Sequence, residues 1–145
     1  MSIITLTTDF GLTDGYVGTM RGVILSIAPE ATLVDLSHQI PAQDLWAGAF
    51  VLYQAVPFCP PEAIHVVVID PGVGSERRAL AVRTSLGIFV APDNGVLSYV
   101  LATADLHEAI SLTNPAYQMP HVSTTFHGRD IFAPAAAHLA NGVPL

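Results

Sequence analysis

The run IHVVVI at residues 64–69 offers no polar face to solvent. A strand with one wet side alternates apolar and polar residues, so this run belongs to a strand covered on both faces, as in a parallel sheet with helices on each side. The rest of the chain is consistent with that. IITLTT (3–8) and ATLVDLS predict two strands, ALAVRT and GIFVAP two more joined by a short Ser-Leu-Gly turn, and HEAISL another. Between them, Val17, Met20, Ile24 and Ile27 recur at helical spacing, with Asp14 as the expected cap and Pro29 as the stop. Asp44 caps LWAGAFVLYQAV, Asp93 or Asn94 opens a short helix over GVLSYVLAT, and IFAPAAAHLAN forms a closing helix with Gly142 at its C-terminal end. Strands alternating with helices predict an α/β fold, a layered domain with a mostly parallel central sheet flanked by helices.

The 145 residues fit one domain, large enough to bury roughly two-thirds of the surface that the unfolded chain exposes. With 51% hydrophobic and 12% charged residues, the composition is apolar for a lone domain and predicts surface buried against other subunits or a further domain. No apolar run approaches the ~20 residues needed to cross a bilayer, so no membrane partner is expected. A net charge of −7 argues against binding a nucleic-acid backbone, which requires clustered cations. All five cationic side chains are Arg. The absence of Lys removes Schiff-base chemistry and the P-loop lysine together. The single Cys59 cannot form an intrachain disulfide, which with no secretory leader predicts a cytoplasmic, reducing setting.

Ligands of open α/β sheets bind beyond the carboxyl ends of the strands, which directs attention to TTDFGLTDG, DPGVGSERR, APDNG and STTFHGRD. Asp9 follows the first strand, where a carboxylate can accept both hydroxyls of a ribose; it could equally be a turn residue. Asp70 precedes PGVG, whose Pro and Gly residues allow a tight turn that presents a side chain inward. Gly72 and Gly74 alone are neither a dinucleotide fingerprint nor a P-loop. Arg77 and Arg78 are adjacent and point to opposite sides if extended, so only one can reach Asp70 and hold it ionised; the other is a surface charge. His127, between Phe126 and Gly128 at an element boundary, is the histidine placed to act as base or orienter. His38, His65, His107, His121 and His138 are expected to be structural. A metal site built from Asp9, Asp70, His127 and Asp130 is a competing possibility, although the tight ligand spacing of most such sites is absent.

Taken together, TTDFGLTDGYVGTMRGVI, IDPGVGSERRALAVR, APDNGVLSYV and TTFHGRDIFAPAAAHLANG resemble the S-adenosylmethionine (SAM) hydroxide adenosyltransferases, relatives of the fluorinases and chlorinases. The resemblance runs from about residue 3 to the last residue. It implies hydrolysis of SAM to adenosine and methionine by attack of water or hydroxide at ribose C5′. The family's Asp–Arg–His set falls on Asp70, Arg77 and His127, and its ribose-binding aspartate on Asp9. The halogenase branch lacks this Asp and His, which points to hydroxide. The expected catalytic residues are therefore Asp70, Arg77 and His127, and the expected substrate-binding residues Asp9, Asp14 and Asn94, with no metal and no cofactor. The resemblance also implies that residues 1–145 are the N-terminal domain, that a C-terminal β-barrel domain is absent from this chain, and that the full-length protein is a homotrimer. The alternatives are a catalytically incomplete nucleoside-binding or assembly domain and, less favoured, a metallohydrolase.

Overall fold

A computed structural model describes all residues, 1–145. Its elements are β1 (Ile3–Thr8), α1 (Tyr16–Ile27), β2 (Thr32–Ser37), α2 (Leu45–Ala55), β3 (Ile64–Val68), β4 (Ala79–Thr84), β5 (Gly87–Pro92), α3 (Ser98–Thr103), β6 (Leu106–Ser111) and α4 (Ala133–Ala140). The strands form one sheet in the order β2-β1-β3-β5-β4-β6. The β1–β2, β1–β3 and β3–β5 pairs are parallel, whereas β4 runs antiparallel to β5 and β6.

β3 is central and buried at every position, as its unbroken apolar run requires. Val66 and Val68 face one side and join Met20 and Ile24 of α1 and Ala133, Ala136 and Ala137 of α4. Val67 and Ile69 face the other and join Leu52 of α2 and Val96 and Val100 around α3. Each face of the sheet thus has its own apolar layer, and the strand's period of two divides β3 between them.

The helix starts differ from expectation in two places. Asp14 does not cap α1: the cap position is Gly15, with no side-chain hydrogen bond, and Asp14 lies exposed on the loop before it. α3 begins at Ser98 after Leu97, so neither Asp93 nor Asn94 caps it. Asp93 instead pairs with Arg78, and Asn94 ties its loop to β3 through Ile69 O. Asp44 caps α2 as its position implies, accepting from Ala47 N at 3.0 Å. The last helix is preceded by one widened turn, Gly128–Phe132, in which Ala133 N donates to Gly128 O. Such i→i+5 turns occur often at functional sites.

His65 lies wholly buried in β3, its Nδ1 2.8 Å from Thr5 Oγ1 and its ring stacked on Phe89. Its Nε2 is buried with no hydrogen-bond partner. Burial pushes its pKa down from 6.5 to about 4, against a smaller upward pull from the Leu86 backbone. Between those values the unfolded chain binds a proton that the folded chain refuses, so stability is lost as pH falls through that window. The loss should reach roughly 3 kcal/mol. Urea midpoints at pH 7 and 4.5 should differ more for the wild type than for His65→Gln; equal differences would contradict the assignment.

Candidate active site

β1 and β3 are neighbours whose onward connections leave in opposite directions, β1 toward β2 and β3 toward β5 and β4. At such a switch point the loops diverge and open a crevice at the carboxyl ends of the strands. Asp9 follows β1 and Asp70 follows β3, and both line one cavity of about 170 Å³ with Phe10, Gln43, Val73 and His127. A larger cavity, about 270 Å³ between β6 and α4, is lined by Ile110, Leu112, Ile131 and Leu145 and holds no carboxylate or imidazole. The two carboxylates and the imidazole gather around the smaller one.

Arg77 organises it. Its Nε donates to Asp70 Oδ1 at 2.9 Å and its Nη2 to Asp70 Oδ2, a bidentate pair in which both side chains are largely buried. The same Nη2 donates to His127 Nδ1 at 2.8 Å. Because a guanidinium has only hydrogens to give, Nδ1 is the acceptor, and the neutral ring carries its hydrogen on Nε2. The guanidinium also lies over the Phe132 ring, 5.5 Å from its centroid. Arg78 points the other way, to Asp93, and remains exposed, as alternation requires. Arg83 faces Glu108 on the surface at 4.0 Å.

Two glycines make the loop geometry possible. A Cβ at Gly72 would meet Arg77 Cγ at 3.3 Å, so the missing side chain leaves room for the guanidinium stem. Gly74 has φ +78°, and a Cβ there would fall 2.3 Å from Thr124 O. This close approach seats the Asp70–Arg77 loop against the 123–127 segment and brings His127 to Arg77.

On the far side, Asp9 Oδ2 accepts from Gln43 N at 2.7 Å. Phe10 and Phe126 meet edge to face, centroids 5.7 Å apart, and form an apolar wall. Asp130 is buried just behind, but its carboxylate is turned away, accepting from Arg129 Nε and Ser123 N. Burial alone would raise its pKa; the bonds from Arg129 and Ser123 outweigh that and hold it low. It therefore fixes the segment ahead of His127 and does not enter the cavity. No three His, Cys, Asp or Glu side chains gather so as to hold a metal ion.

The structure thus brings together Asp9, Asp70, Arg77 and His127. Asp14 is not among the cavity-lining residues, and Asn94 is engaged with Ile69 O and Val96 N. Gln43 and the Phe10–Phe126 wall line the cavity and did not stand out in the sequence. A hint for Gln43 lay in its place just before a helix-capping Asp44.

Residues 4–145 match the family described as the SAM hydroxide adenosyltransferase N-terminal domain. The chain is 48% identical over 143 residues to the (R)-S-adenosyl-L-methionine hydrolase of Salinispora arenicola, covering 98% of this chain and 54% of that protein. It is 28% identical to a fluorinase of Nocardia brasiliensis, over 99% of this chain and 55% of that one. A crystal structure of a conserved protein from Thermotoga maritima superposes with a TM-score of 0.96 at 42% identity, covering 98% of this chain and 55% of that chain. The chain spans about half the length of the curated relatives it matches.

Proposed function

The chain belongs to the SAM hydroxide adenosyltransferase family, and on that footing we propose that it carries the water-activating half of a SAM hydrolase that releases adenosine and L-methionine. One observation carries the reading: Arg77 joins Asp70 and His127 beside the cavity into which Asp9 projects.

In the proposed reaction, the oxygen of a water molecule attacks ribose C5′. The C5′–S bond breaks, and its electron pair returns to sulfur, so that neutral methionine leaves. A sulfonium leaving group needs no protonation, so the protein must only orient and partly desolvate the nucleophile and accept its proton. His127 offers an Nε2 hydrogen to orient the water oxygen. Asp70 accepts the proton, since its oxygens keep lone pairs beyond those that Arg77 occupies. A weak base suffices because the proton becomes strongly acidic as the C–O bond forms. Asp9 accepts the ribose hydroxyls, with Asp14 and Asn94 as secondary candidates for substrate contact from neighbouring loops.

The reading requires no cofactor. It extends to the assembly: a cavity of about 170 Å³ is smaller than the ~300–1,000 Å³ usual for ligands of this size. The remaining walls are assigned to a C-terminal domain and, in a homotrimer, to a neighbouring subunit. No helix is long and apolar enough to cross a membrane, and the free thiol of Cys59 fits a reducing, cytoplasmic setting.

The test is to incubate the protein at its full natural length with SAM and follow adenosine by chromatography. Adenosine should form with wild type and fall to background with Asp70→Ala. No adenosine above that control would refute the proposal. If SAM is not split but adenosine still binds by calorimetry, the nucleoside-binding alternative stands in its place.

A further inference from the structure

Gln43 is the one residue other than glycine with a left-handed backbone, at φ 61°. It occupies the third position of the turn Pro41–Asp44, closed by Asp44 N donating to Pro41 O at 3.0 Å. A negative φ at the second position and a positive φ at the third mark a type II turn, which favours Gly or Asn at the third. Gln carries no such advantage, and an exposed residue held in that region signals a local demand.

The demand is visible in the peptide that joins Ala42 to Gln43. Type I and type II turns differ by a half-rotation of that central peptide, which reverses the direction of its N–H. With φ positive at Gln43, the N–H points at Asp9 and donates to Oδ2 at 2.7 Å, a short, charge-assisted bond. In a type I turn the same N–H would face away. Gln43 also lines the cavity that Asp9 enters, so the bond sits at the site itself. The turn follows Ile40, which is buried, and leads into α2, whose cap Asp44 is bound to Ala47 N. Both ends are thereby anchored, and the central peptide is the part left free to take either orientation.

We infer that Gln43 is a positioning residue: its turn fixes one oxygen of Asp9 and leaves the other turned to the ribose hydroxyls. This rests on the reading of Asp9 as the acceptor of those hydroxyls. A single rotated peptide then decides whether Asp9 meets its ligand in a defined orientation, without Gln43 touching the reacting atoms.

Two substitutions separate backbone from side chain. Gln43→Gly accepts positive φ without strain and keeps the turn; Gln43→Val disfavours it and turns the N–H away. Calorimetric titration of the full-length protein with adenosine and with 2′,3′-dideoxyadenosine reads the consequence. Wild type and Gln43→Gly should prefer adenosine by about tenfold or more, whereas Gln43→Val should lose that preference and bind the dideoxy compound as wild type does. A folded Gln43→Val that keeps the preference overturns the inference. An Asp9→Ala variant that keeps it overturns the underlying reading of Asp9 instead, so the two failures are distinguishable. Amide exchange at residue 43 gives a readout independent of the valine variant: it should be slow in wild type and accelerated in Asp9→Ala, and equal rates in both contradict the bond.

Discussion

Arg77→Lys should lower the rate of adenosine formation by about a hundredfold or more while leaving the domain folded. A lysine keeps one positive charge but cannot place two parallel N–H groups on Asp70 and a third on His127, which Arg77 does with Nε and Nη2. Asp70 would keep a cation nearby and lose its fixed orientation, and His127 would lose the donor that sets its tautomer. Removing the charge altogether has a second consequence. The Asp70 side chain is 5% exposed and that of Arg77 11%, so Arg77→Leu leaves a buried, unpaired carboxylate at a cost of about 3–5 kcal/mol. Comparing the two variants by kcat and by thermal midpoint separates chemistry from stability. Lysine should cost mostly rate and leucine both; a lysine variant with near-wild-type kcat would remove Arg77 from the mechanism.

The second large effect is expected at Gly74. Alanine there must adopt φ near +78° and place its Cβ 2.3 Å from a backbone oxygen of Thr124. A backbone atom cannot swing aside as a side-chain end can, so the Asp70–Arg77 loop must lift from the 123–127 segment. The expected destabilisation is about 2–4 kcal/mol. The loss of activity should exceed it, because lifting the loop parts Arg77 from His127. Gly142→Ala is the control: φ is +93°, but nothing lies within 4 Å of the added methyl. It should cost about 1 kcal/mol and leave the rate unchanged. Equal behaviour of the two variants, in melting and in turnover, would mean that the close approach at Gly74 does not hold the site together.

Much of this arrangement could be read before any coordinates. The central place of β3 follows from its lack of a polar face, and the separate tasks of Arg77 and Arg78 follow from the alternation of an extended segment. The positions of Asp9 and Asp70 after adjacent strands follow from where α/β sheets bind ligands. Other features depend on competition between partners that a linear sequence does not rank. Asp14 has the residue type of a cap, yet α1 starts with Gly15 in that position. Asn94 lies near a helix start, yet the carbonyl of Ile69 takes its amide. Asp130 has the residue type of a site carboxylate, but Arg129 and the Ser123 amide claim both its oxygens. The turn at Gln43 lacks the glycine that would have announced it, because its conformation follows from the partner waiting at Asp9.

The central claim is that water, held by Asp70 and His127, attacks C5′ of SAM. Running the reaction in ¹⁸O-labelled water and weighing the products tests it directly. The account predicts that the heavy oxygen appears in the 5′-hydroxyl of adenosine, and that methionine leaves unlabelled. Adenosine without the label, or no cleavage of the C5′–S bond at all, would contradict it.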